Sequence, residues 1–455
     1  MKLKSGVTFL GLLAVVLATP ASAAKITIGD NGGFVDVGAI VQTWGRITEN
    51  GSADHTGPSY DIFFRRMRFY VNGAINEHIG IIANTDVSYT QAGAAASDVT
   101  ISPVTVQNSV RFNSPTIVMN EALGYYIFCK ELTFYAGLQL LPWTHESLTD
   151  ITRFAGLDEQ TDVTERGRPA GFFGRDRDMG LVVTGDLAFI NYRIGVFNGV
   201  QTIAGKSTVT ATGLVTGATN AAVNFPAYTG VNPGDAPSFD GAIRVNIIGT
   251  EPGYFYSGGL AYNGKSYLSV GFAANIQPRA IAAPARGASG ANYQGYSADV
   301  HMDLAFGDNE FVIDGGWIRT VYQGNGSPIS SESGLALINN AGNGLFGTIG
   351  IRFGWFYPYF AFEDYISNLN PENVTSTFMV FGNGWLPASG RVGSLQTYHG
   401  GIKFLISPPP GNQFMINLDM AFQNKTNAGS ITTSSDGEVT NGNQWSGTVE
   451  FQWKI

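Results

Sequence analysis

The 455-residue chain carries 26 Lys and Arg against 35 Asp and Glu, a net charge of −9, with 12% aromatic residues and 59 glycines. Charged residues make up only 13% of it, about half the roughly 25% of an ordinary soluble protein, and the acidic balance argues against a nucleic-acid partner. A single cysteine, Cys129, excludes an intrachain disulfide and reads as a free thiol in the turn Phe128-Cys-Lys-Glu131.

The chain opens Met1-Lys2-Leu3-Lys4, runs apolar from Val7 to Ala18 and offers Ala21-Ser22-Ala23 as a cleavage site. These are the parts of a secretory signal peptide, and the run is too short for the roughly 20 apolar residues of a spanning helix. Residues 1–23 are therefore expected to be removed, leaving 24–455 as one domain. Without Lys2 and Lys4, 24 basic residues face 35 acidic ones, a charge of about −11.

No later stretch approaches a membrane helix. Apolar residues fall on alternate positions instead, the pattern of a membrane β-barrel. After a Gly-rich lead, Gly29 to Gly33, strands are predicted at Asp36–Arg46, Asp61–Gly73, Ile79–Ser88, Thr116–Ile127 and Leu132–Leu141. In Asp61–Gly73, Phe63, Met67, Phe69 and Val71 share one face, and Phe64, Arg66, Arg68, Tyr70 and Asn72 the other. Such two-sidedness means lipid outside and water inside. Strands follow at Asp178–Thr184, Phe189–Phe197, Asp240–Ile248, Ser266–Ile276, Asn292–Phe306 and Glu310–Tyr322. The remaining five are Leu345–Tyr357, Pro358–Ile366, Leu395–Ile406, Asn412–Gln423 and Gln444–Ile455.

Short connectors (Gly185–Leu187, Gly307–Asn309, Ser407–Gly411) alternate with long Gly-, Ser-, Thr- and Asn-rich ones, as periplasmic turns alternate with external loops. Tyr254–Tyr262 alternates like a strand, but an odd count would put the two termini on opposite sides. Gly249–Lys265 therefore reads as a long periplasmic turn, and the architecture is an all-β transmembrane antiparallel barrel of about 16 strands. The last strand sends Val449, Phe451, Trp453 and Ile455 to lipid. Trp355, Phe360, Phe451 and Trp453 read as interface aromatics.

Between Leu141-Pro142-Trp143 and Asp178 lies a charged segment, 143–178. It mixes Glu146, Asp150, Asp158, Glu159, Asp162 and Glu165 with Arg153, Arg166, Arg168, Arg175 and Arg177. A loop so long in a compact strand protein has a job. In a water-filled barrel that job is to fold inward as the third loop and narrow the pore. Strand parity adds Arg66, Arg68, Arg193, Arg244, Arg352 and Lys403 to the lumen wall, with Asp86, Asp299, Asp303, Glu363 and Asp419. Loop carboxylates facing wall arginines would set a transverse field at the narrowest point.

Asp299-Val-His301-Met-Asp303 spans roughly 13 Å along one strand face, too open to enclose an ion, so lumen polarity explains it better than a metal site. His145-Glu146-Ser147 lacks a nucleophile elbow, so catalysis is not expected. No cofactor is called for.

Phe64-Arg-Arg-Met-Arg-Phe-Tyr-Val-Asn-Gly73, Ala136-Gly-Leu-Gln-Leu-Leu-Pro142 with Glu146, Arg177-Asp-Met-Gly-Leu-Val-Val-Thr-Gly185 and Tyr192-Arg-Ile-Gly-Val-Phe-Asn-Gly199 resemble the phosphate-selective porin O and P family. The resemblance covers roughly residues 60–200, with a weaker echo in His399-Gly-Gly-Ile-Lys-Phe404. It implies a 16-stranded barrel, usually a homotrimer, embedded among outer-membrane lipid and lipopolysaccharide. The implied role is passive passage of small polar solutes and ions, anions such as phosphate among them. Phosphate selectivity in that family rests on an arginine ladder and a lysine cluster, and the seven lysines after residue 23 form no cluster. Two other readings stay open: a surface or adhesion scaffold working through its loops, and an outer-membrane lipid hydrolase using His145.

Overall fold

The computed structural model describes residues 24–28, 32–49, 57–92, 97–101, 104–108, 112–158, 177–199, 236–251, 253–256, 264–281, 291–324, 327–328, 342–367, 394–406, 414–425 and 442–454. The leader, Ile455, Glu159, Asp162, Glu165, Arg166, Arg168, Arg175 and most of the long connectors lie outside the described residues.

Sixteen strands build the wall. The first eight are β1 (Gly33–Thr48), β2 (Ser59–Ala74), β3 (Ile79–Ala92), β4 (Phe112–Cys129), β5 (Leu132–Leu140), β6 (Arg177–Leu187), β7 (Ile190–Phe197) and β8 (Ser238–Ile248). Then come β9 (Tyr267–Ile281), β10 (Ala291–Phe306), β11 (Asn309–Gly324), β12 (Gly342–Phe353), β13 (Phe356–Ser367), β14 (Ser394–Leu405), β15 (Phe414–Lys425) and β16 (Gly442–Lys454). Each pairs antiparallel with the next. Between β16 and β1 the ladder Ile40↔Lys454 to Thr48↔Ser446 closes the ring. A closed ring leaves no unpaired strand edge, which a bilayer would not tolerate. A lead strand, Ala24–Ile28, pairs with Gly33–Val37 of β1 beyond the end of β16.

Side chains alternate across this wall. Ile117, Leu181 and Met420 face out with 72%, 67% and 65% of their surface exposed, while Glu121, Arg193 and Asp419 face in and are buried. Phe128, Phe189, Phe306 and Trp355, all exposed, ring the short-turn end as an aromatic girdle. Phe360 is also exposed but pairs with Ile349 farther up β13, within the apolar band rather than at its rim. Apolar outside, polar inside and closed on itself, the chain folds as a transmembrane barrel of the bacterial outer-membrane type.

Several local expectations shift. Gln42 pairs with Arg66 and Thr43 with Phe64, so Arg65 is bulged out of register and parity reverses at that point. Phe64 consequently faces out beside Ile62, and Phe63 faces in, 5.9 Å from the buried Trp44. Gly185–Leu187 is ladder rather than turn: Leu187 pairs with Ile190, and Ala188 takes the left-handed φ of 54°. The β12–β13 turn is Gly354-Trp355, with Gly354 at φ 58°, which moves Tyr357 into β13. Cys129 ends β4 and is exposed and free.

The described residues of 249–266 add no strand to the wall, as expected for a turn. They are more than a connector, however: Glu251 and Tyr256 are buried against partners inside the barrel.

Candidate functional site

Pro142 ends the β5 ladder because it has no N–H to give to a neighbouring strand. The chain leaves the wall there. Trp143 packs on Ala273, Ile318 and Phe346 of β9, β11 and β12, which places it inside the barrel. A short 3₁₀ turn, Glu146–Leu148, follows with all three residues buried.

Beyond that turn the chain crosses toward the opposite wall. Asp150 accepts hydrogen bonds from its own loop at Thr152 N (3.0 Å) and pairs with Lys454 of β16 at 3.2 Å. Gln452 donates to the Thr152 carbonyl at 3.3 Å, and Lys403 Nζ donates to the Phe154 carbonyl at 2.5 Å. Ala155 and Leu157 rest on an apolar pad of Val312, Tyr357, Tyr359, Leu405 and Met415. Asp158 then reaches β2, accepting from Arg65 at 2.7 Å and from Arg66 at 2.6 Å. Residues 143–158 thus touch β9 to β12, β14, β16 and β2 from within.

At the centre stands His145. Its Nδ1 lies 2.8 Å from Asp314 Oδ2 on β11, its Nε2 lies 2.7 Å from Glu251 Oε2, and its backbone N–H donates to Asp299 Oδ2 at 3.4 Å. The ring is stacked between Tyr256 at 5.0 Å and His301 at 3.8 Å. Burial works against the charged imidazole, but the Glu251 and Asp314 carboxylates outweigh it and hold the pKa up at about 10. Burial likewise opposes ionised Glu251, and His145 overrides it, leaving that carboxyl at about 2. The result is an ion cluster joining the inward loop, the wall and the β8–β9 turn.

The ligand atoms of His145, His301 and Asp314 lie within 4.8 Å of one another, the one such group among the described residues. A ligated ion sits in the plane of an imidazole, along its nitrogen lone pair. These rings lie face to face, only 13° from parallel, so their lone pairs do not converge and a proton serves the cluster instead. Asp299 is occupied by Arg244, which donates at 2.5 Å, so the alternate acids flanking His301 form no cage either.

Arg68, Arg193, Arg244, Arg352 and Lys403 all face in and are buried. Arg66 also faces in, donating to Gln42 at 3.1 Å besides holding Asp158. Arg177 pairs across with Glu121 of β4 at 2.5 Å. Glu146 is buried inside the 3₁₀ turn, and Arg153 is partly exposed on the loop. Arg166, Arg168 and Arg175 lie outside the described residues.

Sequence reasoning missed Glu251, Tyr254, Tyr256 and Asp314. The one available signal was Glu251, the sole acid in an otherwise neutral turn sequence, 249–264.

The barrel and its crossed interior define the class: an outer-membrane β-barrel carrying an inward-folded loop. No protein-family model matches the chain, and no curated protein matches it. Among solved structures it is similar to OprB of Pseudomonas putida at high pH, with TM-score 0.51 and 8% identity over 92% of this chain and 94% of that one. An anion-selective porin from Comamonas acidovorans aligns with TM-score 0.47 and 10% identity over 93% of this chain and 100% of that one. The outer membrane channel DcaP of Acinetobacter baumannii aligns with TM-score 0.44 and 11% identity over 94% and 100%. At 8% identity the likeness to OprB speaks to the fold alone.

Proposed function

We propose that this chain is an outer-membrane porin through which small hydrophilic solutes and ions diffuse passively, without turnover. The observation that carries the reading is residues 143–158, which leave the wall and grip the far side from within. A surface scaffold would have no use for such a crossing. The same residues support a third loop, 143–178, as the constriction.

In this reading the passage beside the loop runs along β1 to β4, where inward side chains such as Arg66 and Asp86 stay partly open. Its wall there offers Arg46, Arg65 and Arg66 as partly exposed cations, and Arg46 and Arg65 bracket Trp44 at 4.9 and 5.3 Å. Across the barrel, Asp299, Asp303, Glu310, Asp314 and Asp419 are buried, out of reach of a passing ion. Asp36, Asp61 and Asp86 are at least partly open on the same strands, so the anion preference of this reading rests on the arginines gathered at Trp44 and Asp158 rather than on a wall free of carboxylates. Nothing in this arrangement singles out phosphate. Assembly as a homotrimer in outer-membrane lipid belongs to the same reading.

The test is conductance across planar bilayers. The reversal potential in a salt gradient should carry the anion sign, and deleting Thr149–Arg168 should raise single-channel conductance. A silent protein, or a deletion that conducts like the parent, would overturn the reading; a cation-sign potential would overturn the anion preference alone.

A further inference from the structure

We propose that the β8–β9 turn, through its described residues Glu251 and Tyr254 to Tyr256, is a second barrier inside the barrel, entering from the end opposite the long loops and clamped to the inward loop. The proposal rests on the porin reading and extends it: the passage is narrowed from both ends, and the size limit belongs to both segments together.

Length is the first argument. Ile248 pairs directly with Leu268, so β8 and β9 are already adjacent where they end. Four other turns at this end need only two residues, Lys130-Glu131, Ala188-Phe189, Gly307-Asp308 and Gly354-Trp355. Here 18 residues separate Ile248 from Tyr267, and of these Glu251 and Tyr254 to Tyr256 pack inside the barrel.

Attachment is the second. Tyr256 N donates to the Leu148 carbonyl at 2.9 Å, and Asp150 N donates to the Tyr256 carbonyl at 3.3 Å. Together they make a parallel bridge between Thr149 and Tyr256, so the turn and the loop share backbone hydrogen bonds at the crossing. From the wall, Arg193 donates to the carbonyls of Tyr254 at 2.8 Å and Gly253 at 3.3 Å. Leu140 N donates to the Tyr254 hydroxyl at 2.8 Å, and the Tyr256 hydroxyl donates to Asn191 at 2.9 Å. The Tyr256 ring lies against the Arg193 and Arg244 guanidiniums at 4.6 and 5.3 Å. Glu251, on the same turn, meets His145. Buried backbone and hydroxyl groups need such partners, and here they come from three separate directions.

Placement is the third. Tyr254 and Phe255 are only partly buried, and Tyr254 continues a row with Tyr135 at 5.2 Å and Tyr125 beyond it at 6.0 Å. The turn therefore presents aromatic faces to the remaining passage, on the side away from the arginines of β1 and β2. A solute that clears the loop meets this throat next.

The experiment uses the full chain in planar bilayers and in swelling liposomes, in a C129S background. Removing the two rings (Tyr254→Ala with Phe255→Ala) should raise single-channel conductance by about 1.5-fold or more, because conductance follows the narrowest cross-section, and should admit sugars that the parent excludes. As a milder probe, Phe255→Cys is treated with a small charged thiosulfonate reagent. Modification confirmed by mass should lower conductance. A conducting parent whose double variant behaves identically, labelling that leaves conductance unchanged, or an introduced thiol that the reagent never reaches would each overturn the second barrier while leaving the porin reading in place. A parent that conducts nothing removes both.

Discussion

Along β10 to β15 the inward side chains are shut off from solvent, whereas along β1 to β4 several stay partly open. Glu310, Asp303, His301 and Asn417 are 0% exposed. By contrast Arg65 on β2 and Asp86 on β3 keep 29% and 15% of their side chains accessible. The same alternation of strand residues builds both sides, so pattern alone does not decide which becomes closed. What decides is the cargo the wall receives: the inward loop and turn press on β7 to β16 and reach the β1-to-β4 side only where Asp158 meets Arg65 and Arg66 of β2. On the closed side charges need fixed partners, such as Arg352 with Glu310 at 3.1 Å, Arg244 with Asp299, and the Tyr359 hydroxyl donating to Asp419 at 2.7 Å. On the open side solvent can substitute for a missing partner.

That contrast can be broken most sharply by Glu310→Gln. It strips Arg352 of its charge partner in a buried setting, where losing one member of a pair costs about 3–5 kcal/mol, read as a lowered urea midpoint for the folded barrel. A change under about 1 kcal/mol, the scale of an exposed pair, would mean the closed side is wetter than described.

Next in size is the His145 cluster. Its raised pKa means that the imidazole adds stability that is complete below its ordinary value of 6.5 and is lost as pH rises through about 10. Glu251, held down to about 2, adds stability complete above its ordinary 4.5 and lost as pH falls toward 2. The stability gap between the parent and His145→Gln should therefore be widest between pH 4.5 and 6.5, shrink steadily above that, and vanish beyond about pH 10. A gap independent of pH would dissolve the cluster. Smallest is Arg65→Ala on the open side: exposed pairs contribute about 0–1 kcal/mol, and Arg66 keeps Asp158. Its effect should appear in the reversal potential, which loses part of its anion bias, rather than in the urea midpoint.

Much of the wall was legible in the residues themselves. Period-two alternation, the turn at Gly307-Asp308 and the parity of termini lead to 16 strands, and parity placed Arg68, Arg193, Arg244, Arg352 and Lys403 on the inner face. The bulge at Arg65 was not legible, because Phe63-Phe64-Arg65-Arg66 offers two apolar and two charged residues in a row and either parity satisfies it. Nor was the inward turn. Tyr254-Phe255-Tyr256 alternates like any wall strand, and what draws it inside is a set of partners (Arg193, Asn191, His145, Leu148) that become neighbours only once the ring has closed. The apolar pad under Ala155 was hidden for a similar reason: Val312, Leu405 and Met415 occupy positions that strand parity assigns to water.

The lead strand has a topological consequence. Ala24 sits opposite Val37, and Lys454 sits opposite Ile40, so only the rows of Gly38 and Ala39 separate them along one and the same lane of the wall. In a chain starting at Ala24, Ile455 and one added residue would be long enough to fuse the pair into a single unbroken strand. The polypeptide could then be cut open at any long connector and read from a new starting point, with every rung of the cylinder kept.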